Sequence, residues 1–172
     1  MAIDMPAVTR HPNREGFRGV LTLVDVTSDR APSGSRGHRV VLTRGAAEAA
    51  LPSLLGMALD YSPRLDRHDS RMKVGVITRA DIVGRRIELS GYVFAKDFPE
   101  IVREIGRRRN CGGGLDEGSQ SPGCLGMSYE IADARVADMN ANVWTLTRVV
   151  FTGAAILRRD KAAYQETWIE MD

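Results

Sequence analysis

The chain has 172 residues, 43% of them hydrophobic and 27% charged, a composition that suits one globular domain with a single core. Its 24 basic and 22 acidic residues nearly cancel to a formal charge of +2, so no strong net field selects for nucleic acid or a membrane surface. The opening stretch MAIDMPAVTRHPNREGF has no long apolar run, and nowhere do about 18 apolar residues follow one another, so a soluble, cytoplasmic protein is expected.

One domain over residues 1–172 is expected, with residues 1–16 as an extended N-terminal segment. GVLTLVDVT, residues 19–27, alternates as a strand with Leu21, Leu23 and Asp25 on one side and Val20, Thr22, Val24 and Val26 on the other. SDRAPSGSRG follows as a loop, and HRVVLT resumes an extended pattern. Thr43 can then cap a short helix whose Ala47, Ala50, Leu51, Leu54 and Leu55 form one stripe, broken or kinked at Pro52.

Residues 72–80 and 86–94 read as a hairpin turned at Gly84. The clearest helix follows: Asp97 as N-cap with Glu100 makes a capping box, Phe98, Ile101, Val102 and Ile105 recur at helical spacing, and Gly106 with Arg107, Arg108 and Arg109 suits its end. CGGGLDEGSQSPG has too few apolar residues to pack, and it lacks the GxxxxGK[ST] spacing of a phosphate-binding loop. Cys111 and Cys124 flank this loop and are expected as free thiols, since no secretory signal precedes them. The three histidines, 11, 38 and 68, are not at zinc-finger spacing, so no metal is expected. Strands over CLGMSYEIADARV and NVWTLTRVVFTG, turned at ADMNA, and a short strand or helix after Arg158 complete the chain.

Alternation through the strand around Ser128 puts Leu125, Met127, Tyr129 and Ile131 on the core face and Gly126, Ser128, Glu130 and Ala132 on the other. Ser128 is thus accessible among small neighbours, but a nucleophile also needs a base within reach and a group that orients the base. His68, between Asp66 and Asp69, is the histidine best placed to be that base, although a lone histidine in such a setting is more often an ordinary turn residue. The basic clusters REIGRRRN and RLDRH are explained by a helix C-terminus and a solvated loop, so a nucleic-acid partner is not expected.

In order and spacing, LDRHDSRMKVGVI, LSGYVFAKDFPEIVREIG, LGMSYE and WTLTRVVFTGAAIL resemble the prohead (capsid maturation) proteases of tailed phages, over roughly residues 50–165. The resemblance implies an α+β fold: a mostly antiparallel β-barrel flanked by two or three helices, shared with herpesvirus assemblins. It implies a serine endopeptidase without cofactor, His68 serving as general base to Ser128, that cleaves scaffold and capsid precursors in the host cytoplasm within the assembling prohead. The major capsid and scaffold proteins would be its substrates, with self-association allowed and no membrane partner.

One departure concerns the closing strand, where the family carries a pattern like ExSxVxxPA and this chain has TRVVFTGAA, with Arg148 and Gly153 at the divergent places. The group that orients His68 is therefore open among Glu130, which is favoured, Asp69 and Asp66. Arg148 could pair with Glu130, as a working partner or as a plain cross-strand salt bridge, or could help stabilise an oxyanion. A catalytically weak or inactive protease-fold structural protein of the capsid is the alternative.

Overall fold

A computed structural model describes residues 10–107 and 124–172. Its strands are β1 (Glu15–Leu23), β2 (Arg39–Leu42), β3 (Ala58–Tyr61), β4 (Lys73–Val83), β5 (Arg86–Val93), β6 (Leu125–Val136), β7 (Val143–Arg158) and β8 (Trp168–Met171). Helix α1 (Arg44–Ala50) runs into a 3₁₀ turn (Leu51–Leu54), and α2 is Pro99–Arg107. The chain is thus α+β, with one sheet in the order β2-β7-β3-β4-β5-β1-β8 and β6 on the other side of β7, curled into a half-barrel. Most pairings are antiparallel, but β2 and β3 both run parallel to β7, along its first and last thirds.

The core lies inside the curl, where Phe17, Ile77, Ile87, Met127 and Phe151 meet Ile101 and Ile105 from the buried face of α2. That face carries the expected Ile101 and Ile105, with Phe98 and Val102 packed partly against the core. The helix opens at Pro99, whose fixed φ suits the first helical position, rather than behind a cap at Asp97. The Asp97 carboxylate instead accepts from Asn13 Nδ2 at 2.7 Å, tying the segment before β1 to the helix. Gly106 stays inside α2, and Arg108 and Arg109 lie outside the described residues.

Thr43 caps α1 as expected, its side chain accepting from the Ala46 N–H. The 3₁₀ turn at Pro52 ends in extended backbone at Leu55, which is why that residue leaves the stripe and stands 50% exposed. The first strand begins earlier than its alternation implies and stops at Leu23, because Asp25 takes a left-handed φ of 57° and turns the chain. The β4–β5 hairpin turns at Gly84, with φ of 59°, and the tail contributes β8. Residues 28–37 are held by buried Ser28 and Ser35, Ser28 Oγ accepting from the Val40 N–H at 2.9 Å.

Cys124 is disulfide-bonded, which corrects the expectation of free thiols; the chain's other cysteine, Cys111, and the rest of the glycine-rich loop lie outside the described residues. Among the described residues, no helix is long and apolar enough to cross a membrane.

Candidate active site

Strand register brings the site together. Asp60 on β3 is opposite Ala155 on β7, and Ala155 is opposite Ser128 on β6. Residues in register on neighbouring strands share a face, so Asp60 and Ser128 flank Ala155 on one side of the sheet, with backbones roughly 9.5 Å apart as two strand spacings. Glu130 lies two residues beyond Ser128, opposite Gly153, and so shares that face. Tyr129 between them turns the other way and packs edge-on against Phe151, the ring centroids 5.7 Å apart. Burial lifts the Tyr129 phenol to about 12.

Gly153 matters because it has no side chain. A Cβ there would stand 2.9 Å from Glu130 Oε2 and 3.3 Å from the Ala58 carbonyl oxygen, so the Glu130 side chain lies across β7 toward β3. It points toward Asp60, a carboxylate oxygen of each acid lying within 4.8 Å of the other.

His68 is delivered by the connection between β3 and β4. Leu65 anchors that connection: its side chain is buried, and its carbonyl accepts from the Arg158 N–H at 2.8 Å. Nearer the histidine, the Asp69 N–H donates to Asp60 Oδ1 at 3.2 Å. Pinned on both sides, His68 places Nδ1 2.8 Å from Glu130 Oε1 and 3.7 Å from Asp60 Oδ2. The ring nitrogen is sealed from solvent, yet the Glu130 oxygen lies off its N–H direction, so the contact is a charge contact without hydrogen-bond geometry.

Burial of the ring disfavours the imidazolium, but the Asp60 carboxylate and then Glu130 outweigh it, so His68 holds its proton above the ordinary imidazole range. Burial would also raise Asp60, but His68, Glu130 and the Asp69 N–H hold it below the usual carboxylate range. Glu130 is raised by burial and by its contact with Asp60, which His68 offsets only in part. Two adjacent carboxylates do not both ionise cheaply, so of the two Asp60 is the one that gives up its proton first.

Of the residues singled out from the sequence, His68, Ser128 and Glu130 share one face. Asp69 does not orient His68 by its side chain, since its carboxylate turns to Arg71, 3.3 Å from Nε. Asp66 is exposed and accepts from Ser62 Oγ at 3.4 Å. Arg148 is also away from the site: irregularities in the β6–β7 pairing set it opposite Arg135, and it is exposed. It lies five strand positions from Gly153, about 16 Å, so neither an ion pair with Glu130 nor an oxyanion role is open to it. Asp60 was not anticipated. Its one signal is a charge in the short buried strand ALDY, whose burial the sequence does not state.

Asp60, His68 and Glu130 each offer one ligand atom, all within 4.8 Å of one another, a set able to hold a divalent cation. The three groups already satisfy one another's charge. Ser128 is half-buried, and neither its hydroxyl nor His68 Nε2 makes a hydrogen bond among the described residues. A separate cavity of about 420 Å³, lined by Leu23, Val26, Val83, Arg85, Arg86 and Glu88, includes no residue of this site. No protein-family model matches the chain, and no curated protein matches it.

Proposed function

We propose that the chain is a serine endopeptidase of the phage prohead protease kind, its curled sheet a variant of the assemblin-like barrel, acting on scaffold and capsid precursors within the assembling prohead. The observation that carries this is the histidine's orientation. Nδ1 is turned inward to two acids on the face that bears Ser128, leaving Nε2 as the nitrogen free to take a proton.

In the reaction, Nε2 takes the Ser128 hydroxyl proton as the oxygen attacks the scissile carbonyl carbon. The imidazolium so formed is stabilised by the carboxylate facing Nδ1. It returns the proton to the leaving amine, which departs and leaves an ester on Ser128. Water then attacks that ester, His68 again acting as base, and frees the serine.

A protease-fold structural protein of the capsid is the second reading, favoured by the missing hydrogen bond between Ser128 and His68, although apo sites are often loose. Incubation with the cognate capsid precursor separates the two. Cleavage is expected, and Ser128→Ala should lower it at least about a thousandfold. Cleavage that survives the substitution removes Ser128 as nucleophile, and none by the unaltered protein favours the structural role.

A further inference from the structure

Two acids face one imidazole in this site, and they are built differently. The Asp60 side chain is 3% exposed, and it stands on a strand paired on both sides, by β7 and β4. A backbone N–H, from Asp69, also fixes its carboxylate. Glu130 is 26% exposed and reaches over the side-chain-free Gly153, where among the described residues the side chains of His68 and Asp60 are what face it.

Distance alone favours Glu130 as the partner of the histidine, at 2.8 Å against 3.7 Å. Direction does not, because Nδ1 makes no hydrogen bond at that short separation. A closer approach of about 0.8 Å would bring Asp60 Oδ2 to normal hydrogen-bond length. Carboxylate oxygens of the two acids lie within 4.8 Å of each other, so ionising both is costly, and the acid with the backbone donor and the deeper seat keeps the charge.

We infer that Asp60 is the ionised positioning residue for His68, and that Glu130 is a neutral carboxylic acid that donates its proton to Asp60 and covers the pair. The consequence for catalysis rests on His68 acting as general base; the assignment of charge does not. In the cycle, Asp60 keeps Nδ1 protonated, so that Nε2 is the basic nitrogen, and stabilises the imidazolium when it forms. Glu130 keeps its proton throughout.

Glutamine separates the possibilities, because its amide has the shape of a protonated Glu130 and still donates to Asp60. The expected result for Glu130→Gln in the full chain is a His68 titration, followed by NMR and assigned against His68→Gln, close to that of the unaltered protein. Asp60→Asn should move the His68 midpoint down, carry the acidic limb of kcat/KM with it, and lower kcat about a hundredfold or more with little change in KM.

A fall of the midpoint in Glu130→Gln overturns the assignment, as does an unmoved midpoint in folded Asp60→Asn. Should Asp60→Asn fail to fold, the glutamine arm decides alone. Should the unaltered protein cleave nothing, the peptidase reading fails while the titration still judges which acid carries the charge.

Discussion

An imidazole that binds its proton more tightly in the folded chain than in the unfolded one makes pH act on stability and turnover in opposite directions. His68 is raised by Asp60 and Glu130, the two acids that face it from β3 and β6; in its own loop, Asp69 is engaged with Arg71. Its contribution to stability is therefore complete below the unfolded value of about 6.5 and is lost as pH climbs through the higher folded value. Thermal unfolding should show this loss above neutrality, and His68→Gln should remove it. On the proposed peptidase reading His68 must be neutral to act as base, so the acidic limb of kcat/KM should lie above pH 6.5, visible in a pH–rate profile. At this scale alternation puts Ser128 and Glu130 on one face of β6, where the register is regular from Leu125 to Glu130, whereas His68 takes its role from the resemblance and not from any strand pattern. Alternation does not place Arg148, because bulges beyond Glu130 shift the β6–β7 register and set that residue opposite Arg135. Asp60 stays hidden because its neighbours come from β7 and from the loop that follows it.

Elements are legible where their signals are local. The β4–β5 hairpin, the Thr43 cap and the apolar stripe of α2 all follow from residues within one or two turns of each other. The two parallel pairings of β7 are not, since periodicity marks a strand without naming its neighbour. Two glycines test the packing between strands. A Cβ on Gly91 would lie 2.0 Å from the Val76 carbonyl oxygen and 3.0 Å from the Phe17 ring, with backbone unable to yield. Gly91→Ala should cost about 2–4 kcal/mol in denaturant unfolding. At Gly153 the nearest atom is the movable end of Glu130, at 2.9 Å. Gly153→Ala should cost no more than about 1 kcal/mol, while displacing Glu130 from the site.

Across the whole molecule, residues 159–167, which connect β7 to β8, also fasten the start of β6. Thr167 is fully buried; its Oγ1 accepts from the Met127 N–H at 3.1 Å and donates to the Tyr164 carbonyl at 2.9 Å. Arg159 adds its N–H to the Cys124 carbonyl at 2.7 Å and its Nε–H to the Thr167 carbonyl at 3.1 Å. Thr167→Val keeps the shape but leaves the Met127 N–H, next to Ser128, without its acceptor. The expected loss is about 1–3 kcal/mol in denaturant unfolding, with the midpoint lowered and the m-value unchanged.

The parallel pairing of β3 with β7 also sets an order of events. The β6–β7 hairpin is local and can close as soon as both strands exist, whereas Asp60 meets Ala155 across about 95 residues of chain. Ser128 and Glu130 therefore reach their sheet early in folding, and Asp60 with His68 arrives only when β3 docks. A half-folded chain thus holds Ser128 and Glu130 without Asp60 and His68, and the cluster is complete only once β3 is paired with β7.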